Sequence, residues 1–239
     1  MSRIESSNVV MYVIHSNPHL LSLTLVIISG VTALVLLERT LTPTLRKWGD
    51  IYPAVLTFSI ILLKTVIPLV LLWNVLKLSP ASLGWVTGGL FQAVWKGVVL
   101  AAVMMAFIFI YQHYSPRLFG TPYTSTGAHL LNRKLSTTAI GISSAAALFN
   151  ACGEEIIFRG MLFPALVSTC GVILALALQS FIFTLYHFFP LQNAVLLFCM
   201  GIFFGLGYLW SGSLVTPVLA HLIENGLPVL VFLVRSVRS

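Results

Sequence analysis

Long uncharged runs decide what this chain can become. Leu20 to Leu37 holds no charged residue, and comparable apolar runs recur over roughly 52–76, 90–111, 138–166, 171–189, 191–210 and 214–234. A helix needs about 20 mostly apolar residues to cross the hydrocarbon of a bilayer. Inside lipid every backbone N–H and C=O must find its partner within the protein, which helices achieve segment by segment. Only 8% of the residues are charged and 58% are hydrophobic, against about 25% charged in ordinary soluble domains. A soluble fold has nowhere to place that apolar surface. The chain is therefore expected to be an all-α, polytopic helical membrane bundle of about seven helices (six to eight). Residues 1–19 lack the basic start of a signal peptide, so the first run reads as a retained span.

The formal net charge of +7 suggests nucleic acid only if the chain is soluble. Here the basic residues sit mostly between apolar runs, where topology and anionic headgroups account for them. The expected partners are thus the lipid bilayer and a membrane-associated protein or peptide substrate, with no nucleic acid. Arg39, Arg46, Lys47, Arg117, Arg133, Lys134, Arg235 and Arg238 fall on one side of a seven-span drawing, and Arg3 and Lys77 on the other. That bias predicts an external N-terminus and a cytoplasmic C-terminus. The chain divides into N-terminal helices with a polar loop (1–134) and a four-helix motif-bearing core (135–239). Cys152, Cys170 and Cys199 lie in apolar segments without CxxC spacing, which indicates neither a disulfide framework nor a zinc knuckle.

Only six residues are acidic, and three of them (Glu154, Glu155 and Glu224) lie in strongly apolar surroundings. An ionised carboxylate there is costly unless paired or functional. Glu155 and Arg159 stand four apart with the glutamate first, the favourable order for a helical ion pair. Glu154 is rotated about 100° from Glu155 and is left for another partner, with Asn150 one turn before it. Phe183-x-x-x-His187 and His221-x-x-x-Asn225 follow in later runs. Each motif alone has a structural reading: an ion pair, an interfacial histidine, interhelical polar glue. Together one carboxylate, two imidazoles and a carboxamide form a proton-transfer site with an oxyanion partner. Lys64, near the middle of the second run, is either a lysine facing the bundle interior or a functional group.

The order EExxxR, FxxxH, HxxxN on successive membrane helices resembles the CPBP family, the CAAX-protease and bacteriocin-processing (Abi) proteins. The resemblance covers Asn150 to Asn225; the first 130 residues carry no such signal. It implies an intramembrane glutamic endopeptidase, multi-pass in a bacterial-type cytoplasmic membrane, cutting CAAX-type tails, leaders or C-terminal sorting signals. By that resemblance Glu154 is the base that activates water, assisted by His187. His221 and Asn225 polarise the scissile carbonyl, while Glu155 and Arg159 hold the site together. Glu224 is an extra acid beside Asn225, able to engage Arg159 or Lys64 or to shape the pocket.

Other intramembrane chemistries leave different signatures. An aspartyl site needs two membrane aspartates, a rhomboid-like site Gly-x-Ser-Gly, a site-two-type zinc site His-Glu-x-x-His, and none is present. No cofactor is expected; the alternative is zinc on Glu154, His187 and His221 with an open position. A transporter using Glu154, Glu155 and Lys64 as a proton relay is the non-enzyme alternative, although no inverted repeat supports it. Gly201 and Gly205 have the spacing that lets helices approach closely. Evenly drawn spans leave one tension, with Glu154 and His221 at mid-depth and His187 near a helix end.

Overall fold

The computed structural model describes residues 19–74, 77, 84, 89–120, 136–187 and 191–238, without the side chains of Thr137 and 227–238. Among the described residues every regular element is helical. In order these are α1 (Leu20–Leu45), α2 (Ile51–Asn74), α3 (Leu90–Phe119), α4 (Thr137–Glu155), a π-helical stretch (Ile156–Leu162), α5 (Phe163–His187), α6 (Leu191–Ser211) and α7 (Val215–Arg238). Five helical stretches, counting Thr138–His187 as one, are long and apolar enough to cross a membrane. The chain is an integral, multi-pass helical membrane protein.

Two helices outrun the apolar runs that seed them. α1 continues through Glu38 and Arg39, expected in a loop, to Leu45. α3 continues past Tyr111 to Phe119, so the polar connection expected from residue 112 starts at Gly120. Gly120 caps α3 at φ 70°, and its N–H bonds to the Pro116 carbonyl, the left-handed ending that glycine adopts without strain. Arg133, Lys134, Arg3 and Glu5 lie outside the described residues. α4 opens on Ser136, whose side chain accepts from the Ala139 amide. The Ser136 amide donates in turn to the Asp50 carboxylate, which holds that carboxyl below its usual range.

The length of the fourth apolar run fits a bilayer only if the helix is tilted or broken near Gly153. Gly153 is itself helical, and the ladder loosens just after Glu155, in the π-helical stretch. Pro164 follows directly; it has no N–H to donate into the preceding turn, which favours a disturbed ladder there. The sharp bend comes at Gly171, at φ 78° and ψ 166° inside α5. Gly153 serves another purpose. A Cβ there would stand 2.4 Å from Thr65 Oγ1, so its absence lets α2 and α4 lie in close contact.

α5 and α6 pack through Gly201. A Cβ on it would meet Ser180 Cβ at 2.8 Å and Ser180 Cα at 2.9 Å. The obstructing atoms include backbone, which cannot turn aside. Gly201→Val should therefore lower stability by about 1–3 kcal/mol or more, the usual size of overpacking, seen as a lower thermal transition in detergent. Gly205→Ala should cost less, because the nearest atom there is the end of the Leu176 side chain, at 2.4 Å. An unchanged transition in Gly201→Val would refute this packing role.

The depth tension resolves as an offset of α5. The Arg39 guanidinium donates to the His187 carbonyl at 2.8 Å, and the Tyr111 hydroxyl donates to the Gln192 carbonyl. The facing ends of α5 and α6, at His187 and Gln192, thus lie level with residues roughly 9 Å short of the end of α1 and roughly 12 Å short of the end of α3, at 1.5 Å per residue. These two ends are recessed below the helix ends that carry Arg46, Lys47 and Arg117. A histidine at the very end of its helix is in this way as deep as a glutamate inside another.

Candidate active site

Glu154 and Glu155 are both buried, and being adjacent on a helix they point to different neighbours. Glu155 Oε1 takes Arg159 Nη1 at 3.0 Å and His221 Nδ1 at 2.9 Å. Arg159 is fully buried; its other Nη donates to the Gly201 carbonyl at 3.2 Å. Its cation lies over two rings, 4.8 Å from the centroid of Phe183 and 4.9 Å from that of Phe204. Such contacts are worth ~2 kcal/mol or more when desolvated. The π-helical stretch places this arginine so that it serves both its own turn and α6.

Glu154 is held quite differently. Lys64 Nζ and Asn150 Nδ2 both donate to its Oε1, at 3.0 Å and 2.8 Å. Its Oε2 is buried and accepts no hydrogen bond from the described residues. That oxygen lies 3.7 Å from His187 Nε2 and 3.7 Å from His221 Nε2. The remaining nitrogens of both rings are committed. His187 Nδ1 is 2.8 Å from the Phe183 carbonyl, which can only accept, so Nδ1 carries a proton. His221 Nδ1 likewise faces the Glu155 carboxylate. In the neutral rings, the hydrogen bond at one nitrogen fixes the tautomer and turns the other, unprotonated nitrogen toward Glu154.

Most of the residues singled out in the sequence converge here. Phe183 stacks obliquely on His187, with centroids 4.6 Å apart. Asn150 bonds Glu154 as its spacing foretells. Asn225 stands one turn beyond His221 but gives its Nδ2 to the Ala147 carbonyl at 3.2 Å. Glu224 was offered Arg159 or Lys64 as partners; both are engaged elsewhere, with Glu155 and Glu154, and among the described residues no hydrogen bond or ion pair joins Glu224 to either. The partner left open for Glu154 includes a countercharge, since Lys64 stands 3.0 Å from it. Among the described residues no group of three His, Cys, Asp or Glu is disposed to hold a metal ion.

Sequence reasoning missed three contributors. Tyr186 accepts from Lys64 at 3.2 Å and packs on Phe158; Phe204 stacks on His221 with centroids 4.7 Å apart; Gly201 offers its carbonyl. An aromatic in an apolar run carries no signal of such a role, and a backbone carbonyl carries none at all.

A buried carboxylate facing two imidazoles across a multi-helix membrane bundle defines the class of a membrane-embedded acid–base site. Residues 136–227 match the model of the Rce1-like type II CAAX prenyl endopeptidase family. Among curated proteins, the membrane-embedded CAAX protease MroQ of Staphylococcus aureus (strain USA300) is 32% identical over 87 residues, 32% of this chain and 33% of that protein. The chain is similar to these CAAX proteases through the stretch that holds all three motifs. It matches about a third of the length of that relative. No solved structure matches it.

Proposed function

We propose that this protein is an intramembrane endopeptidase of the glutamic type, acting in a bacterial-type cytoplasmic membrane on membrane-associated peptides. The observation that carries this reading is Glu154. One carboxylate oxygen is tied down by Lys64 and Asn150, and the other lies 3.7 Å from each of two imidazole nitrogens. A water donating to Oε2 gives up its proton there as its oxygen attacks the scissile carbonyl. His187 assists by orienting that water. His221, braced by Glu155 at Nδ1, donates from Nε2 in its charged form to the tetrahedral oxyanion. Asn225 adds a second donor, since its amide has one N–H beyond that given to Ala147. The proton on Glu154 then passes to the departing amine, and the carboxylate is restored.

The names of the matched family and relative favour CAAX-type tails as substrate; leaders and C-terminal sorting signals share the same chemistry. Comparison of peptide termini in cells carrying the wild type or Glu154→Gln tests the reading. Termini present only with the wild type are expected, and identical sets of termini would overturn it. Turnover should also survive prolonged dialysis against a strong chelator, because the water is activated by a carboxylate. Loss on chelation with recovery on stoichiometric zinc would replace this mechanism with a metal one.

A further inference from the structure

We infer that Lys64, on a helix outside the family-matched stretch, is a positioning residue that selects which oxygen of Glu154 acts as the base. The inference rests on the endopeptidase reading above and adds a part of the machinery that lies before the three motifs. A carboxylate has two equivalent oxygens, and an unrestrained one presents either. Here the symmetry is broken. Lys64 Nζ and Asn150 Nδ2 both donate to Oε1, while Oε2 accepts from none of the described residues and faces the two imidazoles. Charge-assisted hydrogen bonds are short and directional, so two on one oxygen fix the plane of the group.

Lys64 is itself held in place. Its side chain is 4% exposed, and its Nζ bonds the Tyr186 hydroxyl at 3.2 Å, one residue before His187. One ammonium thus links α2 to α4 and to the end of α5 that bears the imidazole. The register of α2 against α4 is set next door. Thr65 fills the space a Cβ on Gly153 would need, at 2.4 Å, so the two helices interlock beside the Lys64–Glu154 pair. The N-terminal helices are therefore part of the reactive apparatus as well as of its anchorage.

A purely structural ion pair would predict that an apolar replacement leaves turnover intact once the protein folds, as is often found when buried pairs are exchanged for well-packed apolar groups. Positioning predicts otherwise. The test uses the full-length protein in lipid nanodiscs with a quenched fluorogenic peptide ending in a farnesylated CAAX sequence. Lys64→Met should lower kcat on the order of 10²-fold, the effect of a misplaced reacting group. KM should stay within about twofold, because the lysine is buried and its ammonium is bonded to Glu154 and Tyr186. Lys64→Arg, which restores the cation, should recover most of the loss. A folded Lys64→Met with wild-type kcat would overturn the inference, as would a loss that appears only in KM. If Lys64→Met does not fold, Lys64→Gln and Asn150→Ala carry the test. The first removes the cation and the second removes the other donor to Oε1; each should lower kcat, and unaltered kcat in both variants overturns the inference. Absence of any Glu154-dependent cleavage by the wild type is a different failure: it removes the endopeptidase reading for this substrate and the role of Lys64 with it.

Discussion

Glu154→Gln should lose turnover by about 10²–10⁴-fold, the contribution of a positioned general base. The amide keeps the shape of the side chain and can still accept from Asn150, but it cannot take a proton from water. It also leaves Lys64 without its anion. A buried cation deprived of its partner costs about 3–5 kcal/mol when nothing replaces it, so this variant should unfold at a lower temperature than the wild type. The double variant Glu154→Gln/Lys64→Met removes the stranded charge; it should regain much of the stability and none of the turnover. Thermal unfolding in detergent alongside the peptide assay separates the two effects. Glu154→Gln with wild-type turnover would end the mechanism, and additive losses of stability would show that the pair does not interact.

At the adjacent carboxylate the leading effect should be on stability. Glu155→Gln should lower stability by about 3–5 kcal/mol, because Arg159 and Glu155 are both fully excluded from solvent and face each other at 3.0 Å. The arginine keeps the Gly201 carbonyl and two ring faces, which hold its geometry without neutralising it. Turnover should fall too, since His221 loses the carboxylate charge that supports its ring in the charged form. Arg159→Met with Glu155→Gln should restore part of the stability, as the apolar replacement fits between Phe183 and Phe204. An unaltered unfolding midpoint in Glu155→Gln would refute its role as the anchor.

The helical bundle is legible in the sequence because the membrane imposes one rule on every span, and apolar length reports it. The i to i+4 spacings are legible for a similar reason: Glu155 with Arg159 and Asn150 with Glu154 are neighbours within one helix, so no tertiary knowledge is needed. Contacts between helices are another matter. Lys64 and Glu154 are 90 residues apart, and nothing in either local pattern says that α2 lies against α4. Gly153 does carry the relevant signal, a small residue where two backbones approach. It reads in the sequence as a place for the helix to break, because glycine permits both outcomes. The recessed end of α5 is invisible for a related reason. Apolar runs measure the length of a span, whereas the offset of one helix against another is set by polar bonds at their ends, from Arg39 and Tyr111.

The Gly201 carbonyl accepts from Gln179 at 2.9 Å and from Arg159 at 3.2 Å. One acceptor therefore ties α5, α6 and the π-helical stretch together, beside the contact where Ser180 lies against the glycine. In mechanical terms this block behaves as a single rigid body. Sliding α6 against the other two breaks two buried bonds at once, one of them to a cation with no water to turn to. Amide hydrogens along this block should exchange among the slowest in the chain, and an opening wide enough for a peptide has to part helices outside it.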